Sequence, residues 1–173
     1  IEIKDRTVGI IGTGAIGYRT ANLAKAFGAK VIGYNRSHSH DDITYTDLNT
    51  LLQTSDIVSI HLPLTKDTKH FIDKDKLSLM KKDAILINTA RGGIIDNEAL
   101  AEALIKGEIA GAGIDVFDME PPLPEDYPLL SAPHTVLTPH VGFDTEEAME
   151  RRAAIVADNL KSFVEGKQKN IIC

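Results

Sequence analysis

The run Gly12-Thr13-Gly14-Ala15-Ile16-Gly17 fits the pattern GxGxxG and sits between a short β-branched stretch and a helical pattern. Three glycines at that spacing suit a turn that holds a phosphate. Gly12 permits the tight turn, Gly14 lets an anion come close to the backbone, and Gly17 lets the following helix pack against its strand. The first N–H groups of that helix, with Ala15 and Ile16 at its start, are then free to bind the anion. The competing reading is a plain glycine-rich turn; the strand, turn and helix around it favour a pyrophosphate, and so a dinucleotide.

A site of this kind usually ends its second strand with an acidic residue about 20 residues along, which bonds the ribose hydroxyls. Here that place holds Asn35, followed by Arg36 and Ser37. Asn35 can still bond a hydroxyl but does not repel a 2′-phosphate, and Arg36 with Ser37 can hold one. The three residues therefore favour NADP(H), with NAD(H) possible if Arg36 merely lies over the adenine.

A cation, a carboxylate and an imidazole complete the chemical set. Arg91 follows Asn88-Thr-Ala, Glu120 follows Asp115-Val-Phe-Asp-Met, and His140 follows Leu137-Thr-Pro. Reducing a 2-keto acid needs a proton donor for the carbonyl oxygen, a group that holds the donor's proton, and a cation for the carboxylate. Taken singly, Arg91 reads as a surface arginine, Glu120 as a solvated loop residue and His140 as a satisfied turn histidine. Their joint position at strand ends is what makes them a candidate site.

The elements that must position these groups alternate. Strands are predicted over residues 7–11, 30–34, 56–62, 84–88, 109–117 and 135–138, and helices over residues 15–27, 47–53, 74–80, 97–106 and 145–164. A proline-rich loop spans residues 121–133. With 43% hydrophobic residues, few aromatics and no Trp, the core is aliphatic, as in strands covered on both faces by helices. The rhythm predicts an α/β fold, a doubly wound parallel sheet of the Rossmann type, whose ligands bind beyond the carboxyl ends of the strands.

Composition excludes other classes. Asp and Glu outnumber Lys and Arg by 25 to 19, the net charge is −6, and no basic run could track a nucleic acid backbone. No apolar stretch is long enough for a membrane span. The one cysteine, Cys173, allows no intrachain disulfide, in keeping with a reducing cytoplasm. His38 and His40 form a His-x-His pair without a third ligand nearby, so no metal site is expected. His61 is expected to bond backbone near the cleft, and His70 and His134 to lie on the surface. The chain opens on Ile1 rather than Met and is close to strand from the outset, which points to a piece of something longer, here a single dinucleotide-binding domain over residues 1–173.

Several ordered runs together carry a resemblance. Val8-Gly-Ile-Ile-Gly-Thr-Gly-Ala-Ile-Gly17, His61-Leu-Pro-Leu-Thr65, Asn88-Thr-Ala-Arg-Gly-Gly-Ile-Ile-Asp96, Gly113-Ile-Asp-Val-Phe117 with Glu120-Pro-Pro122, and Leu137-Thr-Pro-His-Val-Gly142 resemble the cofactor domain of the D-isomer-specific 2-hydroxyacid dehydrogenases over nearly the whole chain. The resemblance implies His140 as acid and base, Glu120 paired with it, and Arg91 orienting the substrate. It further implies Asp115 facing the nicotinamide carboxamide, and Leu62, Pro63 and Thr89 lining the cofactor cleft. Asn35 departs from the family's common aspartate. A second, substrate-binding domain absent from this chain, a small 2-hydroxy or 2-keto acid as substrate, and a homodimer are also implied. Two other classes use the same fold: a nucleotide-sensing interaction protein like the C-terminal binding proteins, and an enzyme with tightly held NAD like S-adenosylhomocysteine hydrolase.

Overall fold

The computed structural model describes residues 2–38, 40–119 and 122–171. The chain divides into two compact units, Ile1–His140 and Val141–Cys173. The first is built on a seven-stranded sheet in the order β3-β2-β1-β4-β5-β6-β7, parallel at every pairing. Its strands are β1 (Thr7–Ile11), β2 (Lys30–Tyr34), β3 (Thr44–Tyr45), β4 (Ile57–Ile60), β5 (Ile85–Asn88), β6 (Gly111–Ile114) and β7 (Thr135–Leu137). Its helices are α1 (Ala15–Ala26), α2 (Leu48–Thr54), α3 (Lys74–Ser78) and α4 (Asn97–Ile105). The order reverses at β1, between β2 on one side and β4 on the other. That is the switch point where open α/β sheets bind ligands.

Alternation along the strands feeds two apolar clusters. Ile11, Val58, Ile60, Leu86, Ala112 and Ile114 join the larger cluster with Leu51, Leu77 and Leu100 from α2, α3 and α4. Val8, Ile10 and Val31 join the smaller one with Ala21 of α1. On the α1 side, Ser59, Ile87, Gly113 and Val136 lie in one register row, and Val136 remains 69% exposed. At the amino ends of the strands, Asp56 accepts the Thr7 amide at 2.7 Å and the Lys81 ammonium at 2.5 Å, tying β1 to the chain before β4.

The expected elements are all present, with four adjustments. β3 was not anticipated, since two residues carry no periodicity. β6 is shorter than residues 109–117, and α3 stops at Ser78. A 3₁₀ turn over Gly92–Ile94 follows β5 and was also unforeseen. In the second unit, α5 (Glu146–Val164) is capped by Thr145, whose hydroxyl accepts the Ala148 amide at 3.2 Å, and Arg152 lies over the Phe143 ring. No helix of the described residues is long and apolar enough to cross a membrane.

Candidate functional site

Register places the candidate residues on one edge. Tyr34, Ile11, Ile60, Asn88, Ile114 and Leu137 form a row across the sheet. Within three residues past that row lie Asn35, Arg36 and Ser37; Gly12 and Gly14; Leu62 and Pro63; Thr89 and Arg91; Asp115; and His140. Residues scattered over most of the sequence thus share the carboxyl edge of one sheet.

The glycine turn has the shape that its spacing predicts. Gly12 has φ 92° and its amide donates to the Tyr34 carbonyl at 2.8 Å; a Cβ there would lie 2.7 Å from the His61 carbonyl oxygen. A Cβ on Gly17 would lie 1.9 Å from the Gly12 carbonyl oxygen, which permits no other residue. Beside Gly14 there is open space: no atom lies within 4 Å of where its Cβ would be. Helices α2, α3 and α4 each cap their first amides with an aspartate, whereas α1 starts on Gly14 with no side-chain cap and no acidic residue in its first turn. Uncapped N–H groups beside open space are what an anion requires. Ala15 and Ile16 open that helix, both exposed.

Thr13, wholly buried between the glycines, is held from the β2–β3 side of the sheet. Its hydroxyl pairs with Tyr45 Oη at 2.9 Å and its carbonyl with His40 Nε2 at 3.0 Å; the His40 ring stacks on Tyr18 at a centroid distance of 3.7 Å. His38 stacks on Tyr45 at 4.2 Å. The His-x-His pair is therefore engaged with aromatic partners and the glycine turn. No group of three or more His, Cys, Asp or Glu side chains among the described residues could hold a metal ion. The His61 ring bonds a side chain rather than backbone: Nε2 lies 2.9 Å from Ser59 Oγ, and burial pushes its pKa below the ordinary imidazole value. His70 and His134 are exposed.

Beyond β2 and β4 lies a cavity of about 230 Å³ whose lining includes Tyr34, Asn35, Arg36, Leu62, Pro63 and Asp67. Asn35 Nδ2 donates to the Ser37 carbonyl at 3.0 Å, fixing the turn after β2. Ser37 itself is exposed and stands outside the lining. Arg36 Nη2 donates to Asp67 Oδ2 at 3.3 Å.

Asn88, fully buried at the end of β5, braces the next turn twice: Oδ1 accepts the Ala90 amide and Nδ2 donates to the Arg91 carbonyl, each at 3.0 Å. The Arg91 side chain is exposed and bonds the Ala90 carbonyl at 2.6 Å, and Thr89 is exposed beside it. Buried Asp115 accepts the Thr138 hydroxyl at 2.5 Å, and the His140 amide donates to the Thr138 carbonyl at 3.0 Å. His140 is half-buried with φ 59°, a left-handed backbone that a non-glycine residue adopts at a cost. Glu120 lies outside the described residues, as does Cys173. The sequence reading missed the bracing set of Asn88, Thr138, Tyr45 and Thr68. Asn88 and Thr68 are buried and Tyr45 and Thr138 half-buried, and only their hydrogen bonds mark them, which needs the fold.

Over residues 1–142 the chain matches the family model described as D-isomer specific 2-hydroxyacid dehydrogenase, NAD binding domain. A glyoxylate reductase of Thermofilum pendens is 46% identical over 172 residues, covering 96% of this chain and 50% of the relative. The NAD-complexed D-isomer specific 2-hydroxyacid dehydrogenase of Lactobacillus delbrueckii ssp. bulgaricus superposes with a TM-score of 0.90 at 39% identity, over 98% of this chain and 56% of that one. An acyclic imino acid reductase in complex with NADPH and D-Arg superposes equally well, TM-score 0.90 at 38% identity, over 100% of this chain and 55% of that one. The chain spans about half the length of the curated relatives it matches.

Proposed function

This chain belongs to the D-isomer-specific 2-hydroxyacid dehydrogenase family as an NAD(P)-binding domain, and on that premise we propose that the complete protein interconverts a small 2-keto acid and its D-2-hydroxy acid. The observation that carries the reading is the shared carboxyl edge, where a cation, a buried carboxylate and an imidazole on a left-handed backbone stand past the same register row as the glycine turn.

The residues present fit a dinucleotide. Gly14 leaves room for a pyrophosphate against the uncapped start of α1, and the cavity bounded by Asn35, Arg36, Leu62 and Pro63 takes the adenosine end. When bound and reduced, the nicotinamide supplies the hydride that C2 of the substrate accepts. Asp115 orients its carboxamide from a position fixed by Thr138. Protonated His140 gives its proton to the carbonyl oxygen, leaving a hydroxyl; in the oxidative direction neutral His140 takes that proton back. Arg91 turns from the Ala90 carbonyl to the substrate carboxylate. Glu120 pairs with His140 in this reading, through the family resemblance of Glu120-Pro-Pro122.

NADP(H) is the favoured cofactor, supported by the absence of a negative charge at position 35 and by Arg36 in the cavity wall. A second domain, outside this chain, closes over the substrate and excludes water. The protein pairs as a homodimer, supported by the exposed apolar side chains Leu23 on α1, Phe27 just past its end and Val136 on β7. An imine in place of the carbonyl is the second reading, because the fold neighbour with NADPH is named an imino acid reductase. The proton from His140 would then go to nitrogen.

The test is steady-state reduction of glyoxylate by the complete protein carrying His140→Ala. Turnover should fall by about 10²-fold or more while the dissociation constant for NADPH stays within about twofold. Turnover at the wild-type rate would remove His140 from the chemistry, and a rate with ammonia and keto acid far above that with keto acid alone would favour the imine.

A further inference from the structure

The guanidinium of Arg36, the residue read above as the partner of a 2′-phosphate, already has an anion. Asp67 reaches across from the segment after β4, and both residues line the cavity beyond β2. That segment is held firmly. The Thr68 hydroxyl accepts the Thr65 amide and donates to the Pro63 carbonyl, each at 2.7 Å, so the chain flanking Asp67 is pinned next to Pro63. Both partners of the ion pair are about three-quarters exposed, at 77% and 76% for their side chains. An exposed pair of one charge each is weak and gives way to a better anion.

We propose that Asp67 is a selectivity-determining residue, an internal anion that holds Arg36 across the cavity mouth and gives it up to the 2′-phosphate of NADP(H). With a plain ribose in the cavity, Arg36 stays on Asp67 and the two close over the adenosine. With a 2′-phosphate, the dianion offers Arg36 more acceptor oxygens than one carboxylate does and takes over its N–H donors. Asp67 then opposes NADP(H) twice: it competes for Arg36 and it repels the phosphate. Neither effect touches NAD(H). The negative charge missing at position 35 is thus partly restored from a different segment, and the preference for NADP(H) is smaller than Asn35 and Arg36 alone would give.

The proposal rests on the reading that this cavity takes the adenosine end, and a calorimetric comparison of four forms of the chain separates the two. The forms are wild type, Asp67→Asn, Arg36→Met and the double variant, each titrated with NADPH and NADH. Asp67→Asn should tighten NADPH about threefold to tenfold and leave NADH within about twofold, with the gain shrinking as salt is raised and falling to about twofold or less in the Arg36→Met background. An unchanged NADPH to NADH ratio in Asp67→Asn, alongside an Arg36→Met variant that loses NADPH affinity, overturns the role of Asp67 and leaves the cavity reading standing. If Arg36→Met leaves both dissociation constants untouched, the adenosine lies elsewhere and the proposal falls with that reading. Both side chains are on the surface, so melting temperatures within about a degree of wild type are expected for all three variants.

Discussion

The hydroxyl of Thr138 donates a 2.5 Å hydrogen bond to Oδ1 of Asp115, joining the chain just past β7 to the chain just past β6. Asp115 is buried and its carboxylate must be satisfied where it stands; Thr138 also accepts the amide of His140 on its carbonyl. One residue therefore positions both the group assigned to the nicotinamide carboxamide and the group assigned to the proton.

Thr138→Val keeps the shape and removes the donor. A bond to a charged acceptor is worth about 1.5–3 kcal/mol, and leaving a buried carboxylate short of it costs in the same range. Chemical denaturation should show a loss of about 2 kcal/mol with an unchanged slope. In the complete protein kcat should fall more than NADPH affinity. Thr138→Ser should recover most of both.

Gly92 opens the 3₁₀ turn that follows Arg91. A Cβ at this position would stand 1.8 Å from the Phe117 carbonyl carbon and 2.4 Å from the Asp118 amide nitrogen, both backbone atoms that cannot swing aside. Gly92→Ala must push the turn after β5 away from the chain after β6, at a cost of about 1–3 kcal/mol or more. Thermal unfolding reads this as a drop of several degrees. A variant as stable as wild type would mean that the two segments are further apart than described.

The half-buried imidazole of His61 gives a pH dependence whose sign is fixed. Burial lowers its pKa below the ordinary value of about 6.5, so between those two values the unfolded chain binds more protons than the folded one. Its contribution to stability is complete above about pH 6.5 and declines as pH falls toward the lower folded value. His61→Asn removes the titration. The stability difference between wild type and variant should shift against wild type on going from about pH 7.5 to about pH 5, and a difference independent of pH would show that His61 is not buried as described.

Tyr45→Phe tests the brace on the glycine turn. The Thr13 hydroxyl is fully buried, and removing its 2.9 Å partner should cost about 1–2 kcal/mol. Because Thr13 stands between Gly12 and Gly14, NADH and NADPH should weaken by the same factor. A change in one cofactor alone would place Tyr45 in the selectivity region instead.

Much of this was legible before folding, and the reason is local. The glycine spacing and the strand-ending positions of Asn35, Arg91, Asp115 and His140 are set by short-range periodicity, to which the sheet adds only a common register. What the sequence reading did not find depends on contacts between distant segments. His40 was weighed as half of a metal pair and is instead stacked on Tyr18, 22 positions away, with its ring nitrogen on Thr13. Asp67 carries no mark in the sequence, because its bond to Arg36 joins segments 31 positions apart. Strand β3 is two residues long and exists because Ile32 and Gly33 offer it an edge.

The most direct test of the account is calorimetric titration of this 173-residue chain with NADPH and, separately, with NADH. Saturable binding of both at one site, tighter for NADPH and weakened when Arg36→Met is introduced, is the predicted result. Binding of neither, in a chain that circular dichroism shows to be folded, would contradict the assignment of the glycine turn and the cavity beyond β2 as the site of the dinucleotide.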